Sequence, residues 1–227
     1  MAIWDNLLTE RDKEVYQQAG LGRKLSLGIK PALVIIDVTY DFVGDKPESI
    51  LQSMRRFPLS CGEEGWQAVY QITSLLPLAR QKKVPIIYSS VDKRAMSSIS
   101  GAWKVGAVLA STPKEVPTSG EIVAEIVPVE NDFVIHKIGP SIFFDTHLLS
   151  ILIPLGVDTL LCCGGTTSGY VRASVSDAAS YGFKVGVIEE GTSDRSQVSH
   201  KMNLFDMNAK FAIVVSMAEV KDYLNKL

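Results

Sequence analysis

The sequence predicts an α/β domain with a doubly wound parallel sheet of about six strands, arranged as three layers in the Rossmann-like manner. From residue 31 onward, short apolar runs rich in Val and Ile alternate with longer segments whose apolar residues recur every three to four positions. The runs are apolar almost throughout, without the alternation of a half-exposed strand. This is typical of parallel strands that are covered on both faces.

Six apolar runs are predicted as the strands of this sheet. In chain order they are PALVIID (31–37), VPIIYSS (84–90), DFVIHK (132–137), DTLLCC (158–163), KVGVIEE (184–190) and AIVVSM (212–217). The segments between them are long enough for crossover helices, which parallel strands require. We therefore expect the six strands to form one parallel sheet.

Helices are predicted where apolar residues repeat at helical spacing. Ser216 and Glu219 form a capping box that starts the last helix, ahead of Val220, Tyr223 and Leu224. Three earlier helices are predicted to turn an apolar face to the core, formed by Trp66, Val69, Ile72 and Leu76, by Val171, Val175 and Ala178, and by Leu204, Met207 and Phe211.

Two regions stand outside this alternation and define the predicted organisation. Residues 1–30 form an N-terminal arm, with a helix from Thr9 to Gln18 that Gly20 closes. We expect this arm to contact a neighbouring subunit, while residues 31–227 form the α/β domain. Residues 92–130 are a long connection with several Gly and Pro, which predicts a pocket wall or a subunit contact.

Composition narrows the function classes. The 227 residues are 46% hydrophobic and 21% charged, as in an ordinary globular protein, and the net charge is −2. No basic field favours nucleic acid or an anionic membrane, so we expect a small-molecule substrate. The opening MAIWDNLLTERDKEV is unlike a secretory signal, and three cysteines without metal or redox spacing fit a reducing compartment. We expect a cytoplasmic protein.

Polar residues at the carboxyl ends of the predicted strands are the candidate site, because open parallel sheets bind ligands there. Asp37 ends the first strand and Lys137 the third, GGTTSGY (164–170) follows the fourth, and Asp194 and Arg195 follow the fifth. A carboxylate beside a lysine in a partly dry crevice can shuttle a proton. The alternative is a structural salt bridge between the same two groups.

The glycine-rich segment GGTTSGY lies at a strand-to-helix turn. There it lets the backbone approach a ligand and directs N–H groups at a developing negative charge. It lacks the Lys of a phosphate-binding loop and the G-x-S-x-G spacing of an α/β-hydrolase elbow. The alternative is that these glycines only form a tight turn.

Three motifs in order resemble the isochorismatase-like cysteine hydrolase superfamily: VIIDVTYDF (35–42), VIHKIGPSIFF (134–144) and GGTTSGYVRASVSDA (164–178). The resemblance extends from about residue 25 to the end of the chain. FPLSCGEEGWQAV (57–69) and TTSGYVRAS (166–174) further resemble the branch that contains N-carbamoylsarcosine amidase. The resemblance implies that residues 31–227 form an isochorismatase-like hydrolase domain with a hydrolytic site.

In that superfamily the three motifs supply a catalytic Asp, a Lys and a nucleophilic Cys, which the resemblance maps onto Asp37, Lys137 and Tyr170. The third position departs from the family pattern. The family thiolate attacks an amide carbonyl and forms an acyl-enzyme. A phenol with a pKa of about 10 is a poor nucleophile toward amides near neutral pH. Cys162 and Cys163 lie in the fourth strand, where cysteine usually packs as a small core residue.

The resemblance also implies a binding arrangement around Tyr170. It implies a cis peptide between Gly165 and Thr166, and an oxyanion hole formed by the backbone N–H groups of Thr166 and residue 170. Thr167 and Arg195 are implied to hold a substrate carboxylate, for which a planar guanidinium is well suited. The alternative for Arg195 is an ion pair with Asp194 or Glu190.

No metal and no cofactor are predicted. Some members of the superfamily, the nicotinamidases, bind a metal through an Asp and histidines after the first motif. The histidines of this chain are His136, His147 and His200, none of them in that region. We interpret His136 as a structural or orienting residue, His200 as a satisfied helix residue and Cys61 as structural.

Three functions remain open at this point. The leading hypothesis is an amidohydrolase acting on a small amide or N-carbamoyl compound that carries a carboxylate. The second is a Cys-independent hydrolase of the isochorismatase type, which cleaves a vinyl ether with Asp37 as proton donor and Tyr170 lining the pocket. The third is a catalytically silent member that binds a ligand or pairs with an active subunit. For each we expect a homodimer or homotetramer.

Overall fold

The computed structural model describes residues 2–23, 25–92, 104–111 and 120–227. All six predicted strands are confirmed, with shifts of a few residues at their ends. They are β1 (Pro31–Ile36), β2 (Ile86–Val91), β3 (Phe133–Lys137), β4 (Thr159–Gly165), β5 (Lys184–Ser193) and β6 (Ile213–Val215).

The six strands form one parallel sheet in the order β3-β2-β1-β4-β5-β6. The chain winds outward from β1 in one direction and then from β4 in the other. The boundary between β1 and β4 is therefore the topological switch point, where an open α/β sheet binds its ligand. Every residue of β1, β2 and β4 is buried, as their continuous apolar sequences predict.

Helices cover both faces of the sheet, which gives the predicted three layers. One face packs against α4 and α9, and the other against α6, α7 and α8. The predicted core positions of α4 are all buried, from Trp66 to Leu76, because they repeat at the helical period along one face. The helices are α1 (Glu10–Gln18), α2 (Tyr40–Val43), α3 (Ile50–Ser53), α4 (Glu63–Gln81), α5 (Lys104–Ser111), α6 (Leu148–Leu152), α7 (Arg172–Ser180), α8 (Gln197–Lys210) and α9 (Met217–Asn225).

Local signals in the sequence place several helix ends. The predicted capping box at the start of α9 is present, with the Ser216 hydroxyl accepting from the Glu219 N–H and the Glu219 carboxylate accepting from the Ser216 N–H. Helix α1 begins with a second capping box, formed by Thr9 and Asp12. Each cap satisfies N–H groups that a helix leaves unpaired at its start. Among the described residues, no helix is both long and apolar enough to cross a membrane.

The N-terminal arm packs on its own domain. The Trp4 and Tyr16 rings lie 6.2 Å and 4.7 Å from the ring of Phe205 in α8, measured between centroids. Trp4 is buried by this contact. The arm therefore stabilises the α8 side of the domain, and its contact with another subunit stays a prediction.

The long connection 92–130 is described only in part. Helix α5 places Leu109 in the core, and a single antiparallel bridge joins Thr39 to Ile122. Residues 93–103 and 112–119 lie outside the described residues. The prediction of a pocket wall or subunit contact falls largely on them and stays a prediction.

Candidate active site

The predicted site residues meet at the carboxyl edge of the sheet. Asp37 directly follows β1, Lys137 ends β3, and a π-helical turn, Thr167–Val171, follows β4. Because β1 and β4 are neighbours, Asp37 and the turn lie on either side of the topological switch point. Lys137 reaches Asp37 across the end of β2.

Asp37 and Lys137 form a fully buried ion pair. The Nζ atom of Lys137 lies 2.6 Å from Oδ2 of Asp37, and both side chains are 0% exposed. Burial lowers the pKa of Lys137 from its ordinary value, and the Asp37 charge opposes this shift. The ammonium also donates to the carbonyl of Gly139 at 3.1 Å. The pair thus combines charge attraction with hydrogen bonds, which a buried pair needs to offset its desolvation.

Ser89 is a member of this site that the sequence analysis missed. Its hydroxyl donates to Oδ1 of Asp37 at 2.6 Å and accepts from the Asp37 N–H at 3.1 Å. Ser89 lies in β2, between the strands that carry Asp37 and Lys137. The available signal was a polar residue near the end of a fully buried strand, since such a residue must find a partner in the interior.

Asp37 has an unusual backbone conformation. Its φ angle is +49°, in the left-handed region that non-glycine residues rarely adopt. Such a conformation costs on the order of 1–3 kcal/mol and persists where surrounding contacts fix it. Here the contacts with Lys137 and Ser89 hold both the side chain and the N–H group. The strain fits a functional position at the end of β1.

Tyr170 lies directly against this pair. Its ring centroid is 4.0 Å from Nζ of Lys137, and the ring packs edge-to-face on Phe42 at 5.2 Å. The side chain is 2% exposed. Burial first, and then the Asp37 charge, raise the pKa of Tyr170 above its ordinary value. The residue that the resemblance aligns with the family nucleophile is thus a neutral ring covering the lysine.

The glycines of the turn are used for close backbone approach. Gly164 has a φ of +109°, and a Cβ atom at this position would lie 2.1 Å from the Ile36 carbonyl oxygen. Only glycine fits so close to β1 in this conformation. The peptide bond between Gly165 and Thr166 is cis, as predicted.

The Thr167 side chain forms hydrogen bonds within the fold. Its hydroxyl donates to the Ser193 carbonyl at 3.1 Å and lies 2.8 Å from Nδ1 of His200. Since a hydroxyl has one proton, donation to Ser193 leaves this group to accept from His200. The role of Thr167 in holding a substrate carboxylate stays a prediction. His200 is therefore paired through its Nδ1 atom, and its interpretation as a satisfied helix residue applies to that nitrogen.

Arg195 is half-buried, and its Nη1 atom donates to the Leu59 carbonyl at 2.8 Å. In the described part of the chain it forms no ion pair with Asp194 or Glu190, the alternative that the sequence left open. Asp194 instead accepts from the backbone N–H groups of Ser168 and Arg195. Its carboxylate thereby holds the turn that follows β4.

All three cysteines are free and buried. Burial raises the pKa of Cys61 and of Cys162 to about 12, and it raises the pKa of Cys163 well above its ordinary value. At neutral pH these groups are neutral thiols. Cys162 and Cys163 lie in β4, paired with β1, as core residues of the sheet.

His136 lies away from the ion pair. It is exposed, and its Nδ1 atom is 2.8 Å from the Ser90 hydroxyl. Within the described ranges, no group of three His, Cys, Asp or Glu side chains is arranged to hold a metal ion.

Burial of His200 makes stability depend on pH. Burial lowers its pKa below the ordinary value of about 6.5, so the unfolded chain binds a proton first as the pH falls. We expect the free energy of unfolding to decrease as the pH falls below about 6.5, and to decrease less in His200→Gln. Urea denaturation at several pH values measures both slopes. The exposed His147→Gln is the control and should keep the wild-type slope, whereas equal slopes for all three proteins would contradict the assignment.

Comparison with known proteins places the chain in a family. The protein-family model of the isochorismatase domain matches residues 31–219 of this sequence. A maleamate amidohydrolase from Pseudomonas putida is 29% identical over 207 residues, covering 91% of this chain and 92% of that protein. An N-carbamoylsarcosine amidase from Arthrobacter sp is 28% identical over 223 residues, covering 96% and 80%.

A solved structure agrees with the sequence comparisons. An isochorismatase family protein from Desulfovibrio vulgaris superimposes with a TM-score of 0.73 at 27% identity, covering 87% of this chain and 100% of that one. The family match spans every strand of the sheet, the buried Asp37 and Lys137 pair and the glycine turn. The chain therefore belongs to the isochorismatase family of hydrolases.

Proposed function

We propose that this chain has the ligand specificity of an amidohydrolase of the family but lacks covalent turnover. It binds a small amide or N-carbamoyl compound that carries a carboxylate, and Tyr170 blocks the covalent route to hydrolysis. The observation that carries the proposal is the Tyr170 ring, 4.0 Å from Nζ of Lys137, at the position that the resemblance assigns to the nucleophilic thiol. The ring fills the space beside the ion pair where a thiolate would have to act.

Neither the phenol nor a cysteine of this chain offers an alternative nucleophile. Burial raises the pKa of Tyr170, so the phenolate is scarce near neutral pH. Cys162 and Cys163 are fixed in β4 as neutral thiols. An acyl-enzyme needs an activated nucleophile within reach of both the base and the substrate. These residues therefore support binding without covalent turnover.

The ligand class rests on Arg195 and on the relatives. A guanidinium has five N–H donors, and the Nη1 atom of Arg195 uses one of them for the Leu59 carbonyl. The remaining edge suits a carboxylate in a bidentate contact. Maleamate and N-carbamoylsarcosine, which name the two relatives, each combine a carboxylate with an amide or carbamoyl group. In this proposal Arg195 orients the carboxylate, and the amide group lies toward the turn at 165–170.

The vinyl-ether alternative is less well supported by the geometry. It requires Asp37 to donate a proton to the substrate. Asp37 instead accepts from the Lys137 ammonium and from the Ser89 hydroxyl. Both carboxylate oxygens are thus occupied as acceptors in this arrangement, and neither is directed at a substrate as a donor.

The test is Tyr170→Cys, which places a thiol beside Asp37 and Lys137. We expect the wild-type chain to bind maleamate or an N-carbamoyl amino acid, seen by calorimetry, without releasing ammonia. We expect Tyr170→Cys to release ammonia at a rate higher by roughly 10³-fold or more, the scale on which a covalent nucleophile acts. An ammonia assay across a panel of carboxylate-bearing amides measures this gain.

Two controls separate the effect of the added thiol from the effect of removing the Tyr170 ring. Tyr170→Ser removes the same ring without supplying a thiol and should stay inactive. Asp37→Asn added to Tyr170→Cys should abolish the gained activity, because the thiol loses its base. Rapid ammonia release by the wild-type chain would refute the block by Tyr170. Failure of the wild-type chain and of the cysteine variant to bind any compound of the panel would refute the ligand class.

A further inference from the structure

A cavity lies at the carboxyl end of β5, between α4 and α8. It has a volume of about 330 Å³ and is formed by the first turns of α4, the carboxyl end of β5 and the start of α8. Neither Asp37, Lys137 nor Tyr170 lines it. The apolar part of its wall includes Ile3 of the N-terminal arm and Ala68 of α4. The cavity is therefore distinct from the buried ion pair and Tyr170, although Asp194 of the candidate site lines it.

Carboxylates dominate the charge of this cavity. Glu64, Glu189, Glu190 and Asp194 line it, and none of its described lining residues is Lys or Arg. Glu190 accepts from the Met217 N–H at 2.8 Å, and Asp194 accepts from the backbone of the turn. Glu64 lies in the first turn of α4, where a carboxylate is stabilised by the helix dipole.

Glu189 has no comparable structural partner. Within the described residues, no hydrogen bond or ion pair reaches its half-buried carboxylate. Burial first, and then the charges of Glu190 and Glu219, raise its pKa above the ordinary value. A cation in the cavity would stabilise the ionised form of Glu189.

His200 adds a second, independent acceptor. Its side chain lines the cavity, and the residue is only 6% exposed. With the Thr167 hydroxyl donating to the Ser193 carbonyl, we assign the hydrogen of the contact with Thr167 to Nδ1 of His200. The neutral ring then has Nε2 as an acceptor, and no described residue donates to it. His200, a residue that is more than nine-tenths buried, thus offers a ring acceptor on the edge opposite Thr167.

We propose that this cavity binds a small primary alkylammonium ion. The ammonium donates to Glu189 and to Nε2 of His200, and its short alkyl chain packs on Ile3 and Ala68. A volume of about 330 Å³ is at the small end of ligand pockets, which suits a chain of few carbons. An anion is disfavoured because every charge lining the described cavity is negative. This inference is independent of the amide ligand proposed above.

The test is a titration of the full chain with n-butylammonium chloride at pH 8, followed by NMR of the histidine ring signals. We expect saturable shifts of His200 with a Kd on the order of 1 mM, which is typical of so small a ligand. Glu189→Gln keeps the size of the side chain and removes its charge. We expect it to bind at least about tenfold more weakly, because a charge-assisted hydrogen bond is lost.

Matched controls decide the outcome. Glu130→Gln removes an exposed carboxylate at the opposite edge of the sheet, beside β3, and should leave the Kd unchanged. n-Butanol and butyrate have the same chain without the positive charge and should not saturate the site. Unchanged binding in Glu189→Gln, equal binding of butyrate, or shifts confined to other residues would each overturn the proposal. So would closure of the cavity by a second copy of the chain, seen as concentration-dependent assembly without ammonium binding.

Discussion

Lys137→Met is expected to lower the free energy of unfolding by about 3–5 kcal/mol, the cost of removing one partner from a buried ion pair. Asp37 is 0% exposed, and Lys137 is its charged partner at 2.6 Å. Without the ammonium, the carboxylate stays buried, and among the described residues only the Ser89 hydroxyl remains as a side-chain donor. Urea denaturation of the wild-type chain and the variant measures the loss.

A double variant and a surface pair test whether such a loss comes from the unpaired buried charge or from breaking any ion pair. Combining Lys137→Met with Asp37→Asn removes both charges, and we expect it to recover part of the lost stability. Lys13→Met breaks a pair with Glu10 whose side chains are 45% and 86% exposed, so its cost should stay below about 1 kcal/mol. Similar losses for Lys13→Met and Lys137→Met would show that burial does not govern the pair.

The sequence predicted the sheet well because parallel strands buried on both faces leave a strong apolar signal. It also placed Asp37 and Lys137 together, since both end strands of one sheet. The sequence did not identify Ser89 as a site residue, because a Ser inside an apolar run resembles ordinary variation along a strand. Only the order of the strands shows that β2 lies between β1 and β3, where a hydroxyl reaches Asp37.

The direction of the Thr167 side chain could not be predicted for a different reason. The resemblance implies a role in holding a carboxylate, whereas its hydroxyl is engaged by Ser193 and His200. These partners follow Thr167 by 26 and 33 residues. Their approach depends on how α8 packs beside the turn. Side-chain directions set by such tertiary contacts are not encoded in the local sequence pattern.

Gly164→Ala is expected to destabilise the fold strongly, because of the backbone geometry at the switch point. At this position φ is +109°, and the added Cβ would lie 2.1 Å from the Ile36 carbonyl oxygen. The obstacle is backbone of the central strand β1, which cannot move aside as a flexible side chain can. We expect a loss of roughly 4 kcal/mol or more, among the largest that single substitutions cause. Urea denaturation gives the value, and proteolysis of the native state gives it if the variant is too unstable to purify.

Gly182→Ala is the matched control for this substitution. Gly182 also has a positive φ, of +85°, but nothing lies within 4 Å of its added Cβ. It should therefore cost only the conformational strain of a left-handed Ala, roughly 1–2 kcal/mol. Equal losses in the two variants would mean that the dihedral angle alone requires glycine. A much larger loss at Gly164 would mean that the close approach of β4 to β1 requires it, and this approach sets the distance between Asp37 and the turn that carries Tyr170.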